Sequence, residues 1–168
     1  EPLDEYITPE RRVSYRDFAL EAVSHNGSLW GIPVYCAAPA MLLNLEAFAE
    51  AGVEPPENGT WTYDEFVSTL QRLTLDQNGD GVPERYGLGS YILNGYYNLW
   101  GILFSDGWNI YDAESGRYTV NTPEAVSGLE KLARLVHEYG IADKDMASLT
   151  PARAWKAFAV DKTVAVYP

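Results

Sequence analysis

The stretch NTPEAVSGLEKLARLVHEYG, residues 121 to 140, constrains the fold of this chain more than any other. Asn121 or Thr122 offers an N-cap oxygen, Pro123 fits the first turn, and Gly140 stops the run, so one helix is predicted between those marks. Val126, Leu129, Ala133 and Val136 recur at helical spacing and are read as its buried stripe. The same punctuation returns in WTYDEFVSTLQRLT. There Thr62 and Glu65 have capping-box spacing, Trp61 and Phe66 can staple across the cap, and Phe66, Leu70 and Leu73 share a face. Shorter helices are expected after Asn44, ending at Gly52, and after Thr150–Pro151, with Trp155 and Phe158 facing inward.

Between these helices lie short strand candidates: LWGIPVY (29–35), YGLGSYI (86–92), WNIY (108–111), RYTV (117–120) and TVAVY (163–167). WNIYDAESGRYTV reads as a β-hairpin whose turn runs from Asp112 to Gly116. Strands alternating with helices point to an α/β layer structure. A length of 168 residues suits a domain able to bury a real core. Both ends look cut, so the expectation is a piece of a longer protein.

Charge narrows the partners. The formal net charge is -12, from 24 acidic and 12 basic residues. A surface that acidic repels phosphate backbones, which argues against nucleic acid. No apolar run approaches the ~18 residues of a membrane span. Cys36 is the sole cysteine, so no internal disulfide forms. Aromatic residues are abundant, at 13%. Tyr and Trp present an apolar face and a polar tip, suited to sugar rings and equally to a packed core.

Catalytic motifs are missing: no nucleophile elbow, no H-E-x-x-H helix, no phosphate-binding loop. The GLG at 87–89 lacks the third glycine of a dinucleotide fingerprint. His137, near the end of the long helix, is read as a surface residue, where a cation favours the helix dipole. The stretch LDQNGDGVPERYGLG opens like a calcium loop, with Asp76, Asn78 and Asp80 at alternate positions before Gly81. Glu84 falls at the ninth position, but the twelfth is Gly87, and Pro83 stiffens the loop. It is therefore read as a turn whose Asp and Asn side chains bond their own backbone, with no metal site assigned. No cofactor is expected.

Several segments in order resemble one family. VSHNGSLWGIPVYCAAPAMLLNLEAFAEAGVEPPENGTWTYDEFVSTLQRLT is similar to the corresponding stretch of family 1 extracellular solute-binding proteins, the sugar-binding partners of ABC importers. DQNGDGVPERYGLG resembles that family's DGDG-to-YG turn. NLWGILFSDGWNIYDAESGRYTVNTPEAVSGLEKLARLVHEYG resembles its W…GG hairpin and NSPEAVEAL helix. AWKAFAVDKTVAVYP resembles the strand preceding a ligand-facing segment. Leu43 and Leu45 depart from the usual YNK step, and YCAAPA offers a sugar no carboxylate or amide, so the particular sugar is not legible.

The resemblance implies a two-lobed fold of the periplasmic-binding-protein type II kind. Residues 1–36 would be the end of the first lobe with a crossover strand, and 37–168 an incomplete second lobe. It also implies an extracytoplasmic protein, periplasmic or lipid-anchored, that hands a sugar or oligosaccharide to ABC permease subunits without catalysis. Tyr91, Asn94, Tyr96, Tyr97, Asn98 and Trp100 cluster in sequence, and stacking rings beside amides suit hydroxyl-rich ligands. The candidate ligand contacts are Tyr35, Asn94, Tyr96, Tyr97 and Trp100. A secreted carbohydrate-active enzyme domain with an aromatic-lined cleft is the alternative, recognisable by a carboxylate pair ~5–10 Å apart flanking the sugar.

Overall fold

Asp4 gathers the start of the chain. Its carboxylate accepts the Leu29 amide at 2.9 Å and pairs with Arg12 at 3.2 Å. The Leu29 N–H is the main reason its carboxyl sits below the usual aspartate range. A computed structural model describes residues 1–35, 40–93 and 99–168, and divides the chain into two units, Glu1–Pro39 and Ala40–Pro168. The smaller unit holds α1 (Pro9–Arg12), α2 (Asp17–Ala22) and a hairpin of β1 (Ser24–His25) and β2 (Ser28–Leu29). Asn26 and Gly27 turn that hairpin with φ of 50° and 78°, the positive values an Asn-Gly turn supplies.

The predicted strand at 29–35 is a correction. Only Leu29 of it lies in a ladder, and Val34 and Tyr35 are 89% and 86% exposed. A strand needs a partner for its amides, and among the described residues β1 pairs only with Ser28 and Leu29.

The larger unit is built on a three-stranded sheet. β3 (Leu42–Leu43) runs antiparallel to β7 (Val164–Tyr167), and β4 (Tyr86–Leu88) runs parallel to it, with Tyr86 opposite Val164 and Leu88 opposite Val166. β7 is thus the middle strand. The helices begin where the sequence marks them. Asn44 caps α3 (Leu45–Ala51) and Gly52 ends it at φ 61°. Thr62 and Glu65 close the capping box of α4 (Tyr63–Leu73), with bonds of 3.3 and 2.8 Å. Trp61 meets Phe66 across that cap at 5.9 Å between centroids. Phe66, Leu70 and Leu73 are buried, as their spacing predicts.

Residues 108–120 form the expected hairpin, with β5 (Tyr111–Asp112) against β6 (Arg117–Tyr118). Asp112 Oδ1 accepts the Glu114 amide within its turn. Thr122 caps α6 (Pro123–His137), and Thr150 caps α7 (Pro151–Ala159). Among the described residues no helix is long and apolar enough to cross a membrane.

Two burial predictions fail. Ala125, Gly128 and Leu135 line the buried face of α6, while Val126 and Leu129 are half exposed and Ala133 is exposed. The helix is apolar on two adjacent stripes, and close approach decides between them. A Cβ on Gly128 would stand 2.2 Å from the Leu103 carbonyl oxygen of α5 (Trp100–Leu103). Only the stripe containing glycine lets the two backbones meet. On α7, Ala154 is buried and Trp155 is 48% exposed, not inward.

The acidic loop folds on itself. Asp76 accepts the Gly79 and Gly81 amides at 2.8 and 2.9 Å. Asn78 and Asp80 each accept the amide two residues on, at 2.8 Å, and Glu84 accepts that of Gln77. This is the self-bonded turn that the sequence suggests.

Two outcomes follow. Gly128→Ala should destabilise the protein by ~1–3 kcal/mol in urea unfolding, although alanine is the better helix former, because the methyl meets backbone and not a movable side chain. Asp76→Ala should cost ~0.5–1.5 kcal/mol, the net worth of the bonds it removes, since the loop is exposed and water can take up the freed amides. Calorimetry of the wild type should show no micromolar calcium affinity; such an affinity, abolished in Asp80→Ala, would make the turn a metal site.

Candidate functional site

Parallel pairing puts the carboxyl ends of β4 and β7 on one edge of the sheet. Open α/β sheets take their ligands at that edge. Beyond β4 the chain stays close to its neighbours: Gly89 N donates to Val166 O at 2.9 Å, and Ile92 N to Met146 O at 3.3 Å. Ser90 is fully buried and Tyr91 8% exposed. This short segment leads to 94–98, so Asn94, Tyr96 and Tyr97 lie outside the described residues. Tyr91, the first ring of the predicted cluster, is therefore core.

Trp100 opens α5, half buried. Its ring lies 5.6 Å from Phe104, which in turn meets Trp108 edge-on at 5.3 Å. Trp108 Nε1 donates to Thr119 O at 3.0 Å. The indole is thus tied to the β5–β6 hairpin. Tyr35 belongs to the smaller unit, 86% exposed. Of the five predicted contacts, then, Trp100 is the one among the described residues of the larger unit.

A polar clamp that sequence reasoning missed holds α5. Asp106, just past its end, accepts from Lys131 Nζ and Ser127 Oγ of α6. Lys131 also reaches Ser105 Oγ at 3.1 Å and lies 4.8 Å from the centre of the Tyr63 ring. Tyr63 returns the contact, donating its hydroxyl to Lys131 O at 2.8 Å. Burial pushes the Tyr63 hydroxyl up to about 12, so it remains a neutral donor. Lys131, with Ser127 second, holds the Asp106 carboxyl below its ordinary value. No sequence signal pairs residues 25 apart on different elements, which is why this clamp is invisible without the fold.

A cavity of about 230 Å³ lies between β4, β7, α7 and the turn at Lys144–Ala147. Leu88, Met146, Ala154 and Val164 form its apolar floor, and Glu84, Tyr86 and Asp143 its polar wall. Burial, then Asp143 and Asp145, raise the Tyr86 hydroxyl. No group of three or more metal-ligating side chains gathers among the described residues.

A mixed sheet with helices packed on it and a parallel β4–β7 pair defines an α/β fold. The family model for bacterial extracellular solute-binding proteins matches residues 1–167, and the chain belongs to that family. The maltotriose-binding protein of Pyrococcus abyssi is 26% identical over 130 residues, which make 77% of this chain and 25% of that protein. The arabinooligosaccharide-binding protein of Halalkalibacterium halodurans is 27% identical over 168 residues, 98% of this chain and 34% of the relative. The chain therefore spans 25% and 34% of these curated relatives. The structure of the Thermus thermophilus maltotriose-binding protein with maltotriose matches at a TM-score of 0.68 and 22% identity, over 99% of this chain and 41% of that one. The likeness shows the fold: an α/β portion of the fold of that binding protein.

The clamp predicts a pH signature. A depressed carboxyl pKa contributes stability above its unfolded value and loses it as pH falls through the folded one. The stability gap between wild type and Asp106→Asn should be constant well above the ordinary aspartate value of 3.8 and shrink as pH drops below it. A gap that is flat through acid would remove Lys131 as Asp106's partner.

Proposed function

We propose that the intact protein is the substrate-binding component of an ABC-type importer, capturing a neutral sugar or oligosaccharide outside the cytoplasm and delivering it to membrane permease subunits. The observation that carries this is the family match along the chain. In this reading residues 1–36 close the first lobe and begin a crossover, and 37–168 belong to the second. Asn94, Tyr96, Tyr97 and Trp100 face the ligand from the second lobe, and Tyr35 from the crossover. No catalytic step is assigned.

The chemistry suits such a ligand. A pyranose or furanose offers C–H faces that stack on Tyr and Trp rings, and hydroxyls that both donate and accept, as an Asn amide does. A net charge of -12 disfavours anionic ligands. The relatives named for maltotriose and for arabinooligosaccharide set the first ligands to try.

Titration calorimetry of the intact protein with malto- and arabino-oligosaccharides tests this. Binding without hydrolysis is expected, and Tyr97→Ala should weaken it by ~1–3 kcal/mol, the loss of one stacking anchor. Unchanged affinity in both Tyr96→Ala and Tyr97→Ala would move the site elsewhere. Release of reducing sugar would make the protein an enzyme.

A further inference from the structure

Three aromatic rings that the reading above leaves unused meet at the end of the middle strand. Trp155 and Phe158 stand one helical turn apart on α7, and Tyr167 is the last residue of β7. Their centroids lie 6.0 Å apart for Trp155 and Phe158, and 5.7 Å from each of these to Tyr167. Trp155 stands edge-on to Tyr167 at 75°. Such mutual packing holds the indole in place, yet 48% of Trp155 stays open. Trp61, also packed on a phenylalanine, is by contrast half buried against the core.

A braced, half-open indole is a preorganised surface, because little rotamer freedom is left to lose when something stacks on it. Its place matters as much. Tyr167 ends β7 beside the exit of β4, so the three rings adjoin the edge from which Ser90 and Tyr91 lead toward 94–98. Charge does not compete: Lys156, the neighbour of Trp155, is held by both oxygens of Asp161, at 2.7 and 2.6 Å.

We infer that Trp155, braced by Phe158 and Tyr167, is a second stacking platform that receives one ring of an oligosaccharide whose other rings lie toward Trp100. This rests on the sugar-binding reading and narrows it: the ligand has several units, and Trp155 selects for length. On this proposal a single sugar ring is held by one platform and a longer ligand by both, so losing one should penalise long ligands and spare short ones.

The test is a ladder on the intact protein, from glucose to maltotetraose and from arabinose to arabinotetraose, with wild type, Trp155→Phe and Trp155→Ala. Trp155→Ala should weaken the bound tetrasaccharide about tenfold while the monosaccharide stays within about twofold, and Trp155→Phe should keep most of the affinity. Equal losses along the ladder, or none, overturn the platform while leaving sugar binding standing. A wild type that binds no member of either ladder overturns the sugar-binding reading itself, and the platform with it. Should Trp155→Ala fail to fold, fluorotryptophan NMR of the wild type decides, with the Trp155 signal assigned by its loss in Trp155→Phe. That signal should be solvent-exposed in the free protein and shift with the tetrasaccharide only. A signal already shielded before sugar is added would mean that another segment of the protein covers Trp155, and would sink the proposal.

Discussion

The closeness of β4 to its neighbours is the constraint on which the larger unit depends. A Cβ on Gly87 would lie 2.3 Å from Leu70 O of α4, and one on Gly89 would lie 2.5 Å from the methyls of Val164 on β7. Real side chains do not fit either place. The two glycines therefore let a helix lie against the strand backbone and let the chain just past β4 lie close on the Val164 side chain. The core follows: Leu70 and Leu73 of α4, Leu88 of β4 and Val166 of β7 are all fully buried in one cluster. The Gly-Leu-Gly that is too short for a dinucleotide fingerprint is there for packing.

Several acidic side chains serve as acceptors for nearby amides. Asp76 and Asp80 build the 76–82 turn, Asp112 the hairpin turn, Asp143 the turn before Met146, and Glu65 a helix cap. Others are paired, as Glu50 is with Arg85 at 2.6 Å, and Glu46 with Lys162. A net charge of -12 is thus spread through local structure. The Asp106–Lys131 clamp, in turn, fixes the helix that carries Trp100.

The sequence by itself determined the places where structure starts and stops. Thr62, Thr122, Thr150, Asn44 and Gly52 act on amides or torsions within a few residues of themselves, so their work is legible from neighbours alone. The Asp112–Gly116 turn and the self-bonded loop at 76–82 are local in the same way, and so is the ordered set of motifs that marks the family. Burial is not local. Val126 and Leu129 look as suited to a core as Ala125 and Leu135, and only Gly128 meeting Leu103 chooses between the stripes. Trp155 has the hydrophobicity of a core residue but lies over a sheet edge that leaves half of it open, and residues 30–35 have strand composition with no ladder partner among the described residues. Local hydrogen bonds are encoded by the residues that make them, whereas burial and pairing need a surface brought from far along the chain, and that the tertiary structure alone decided.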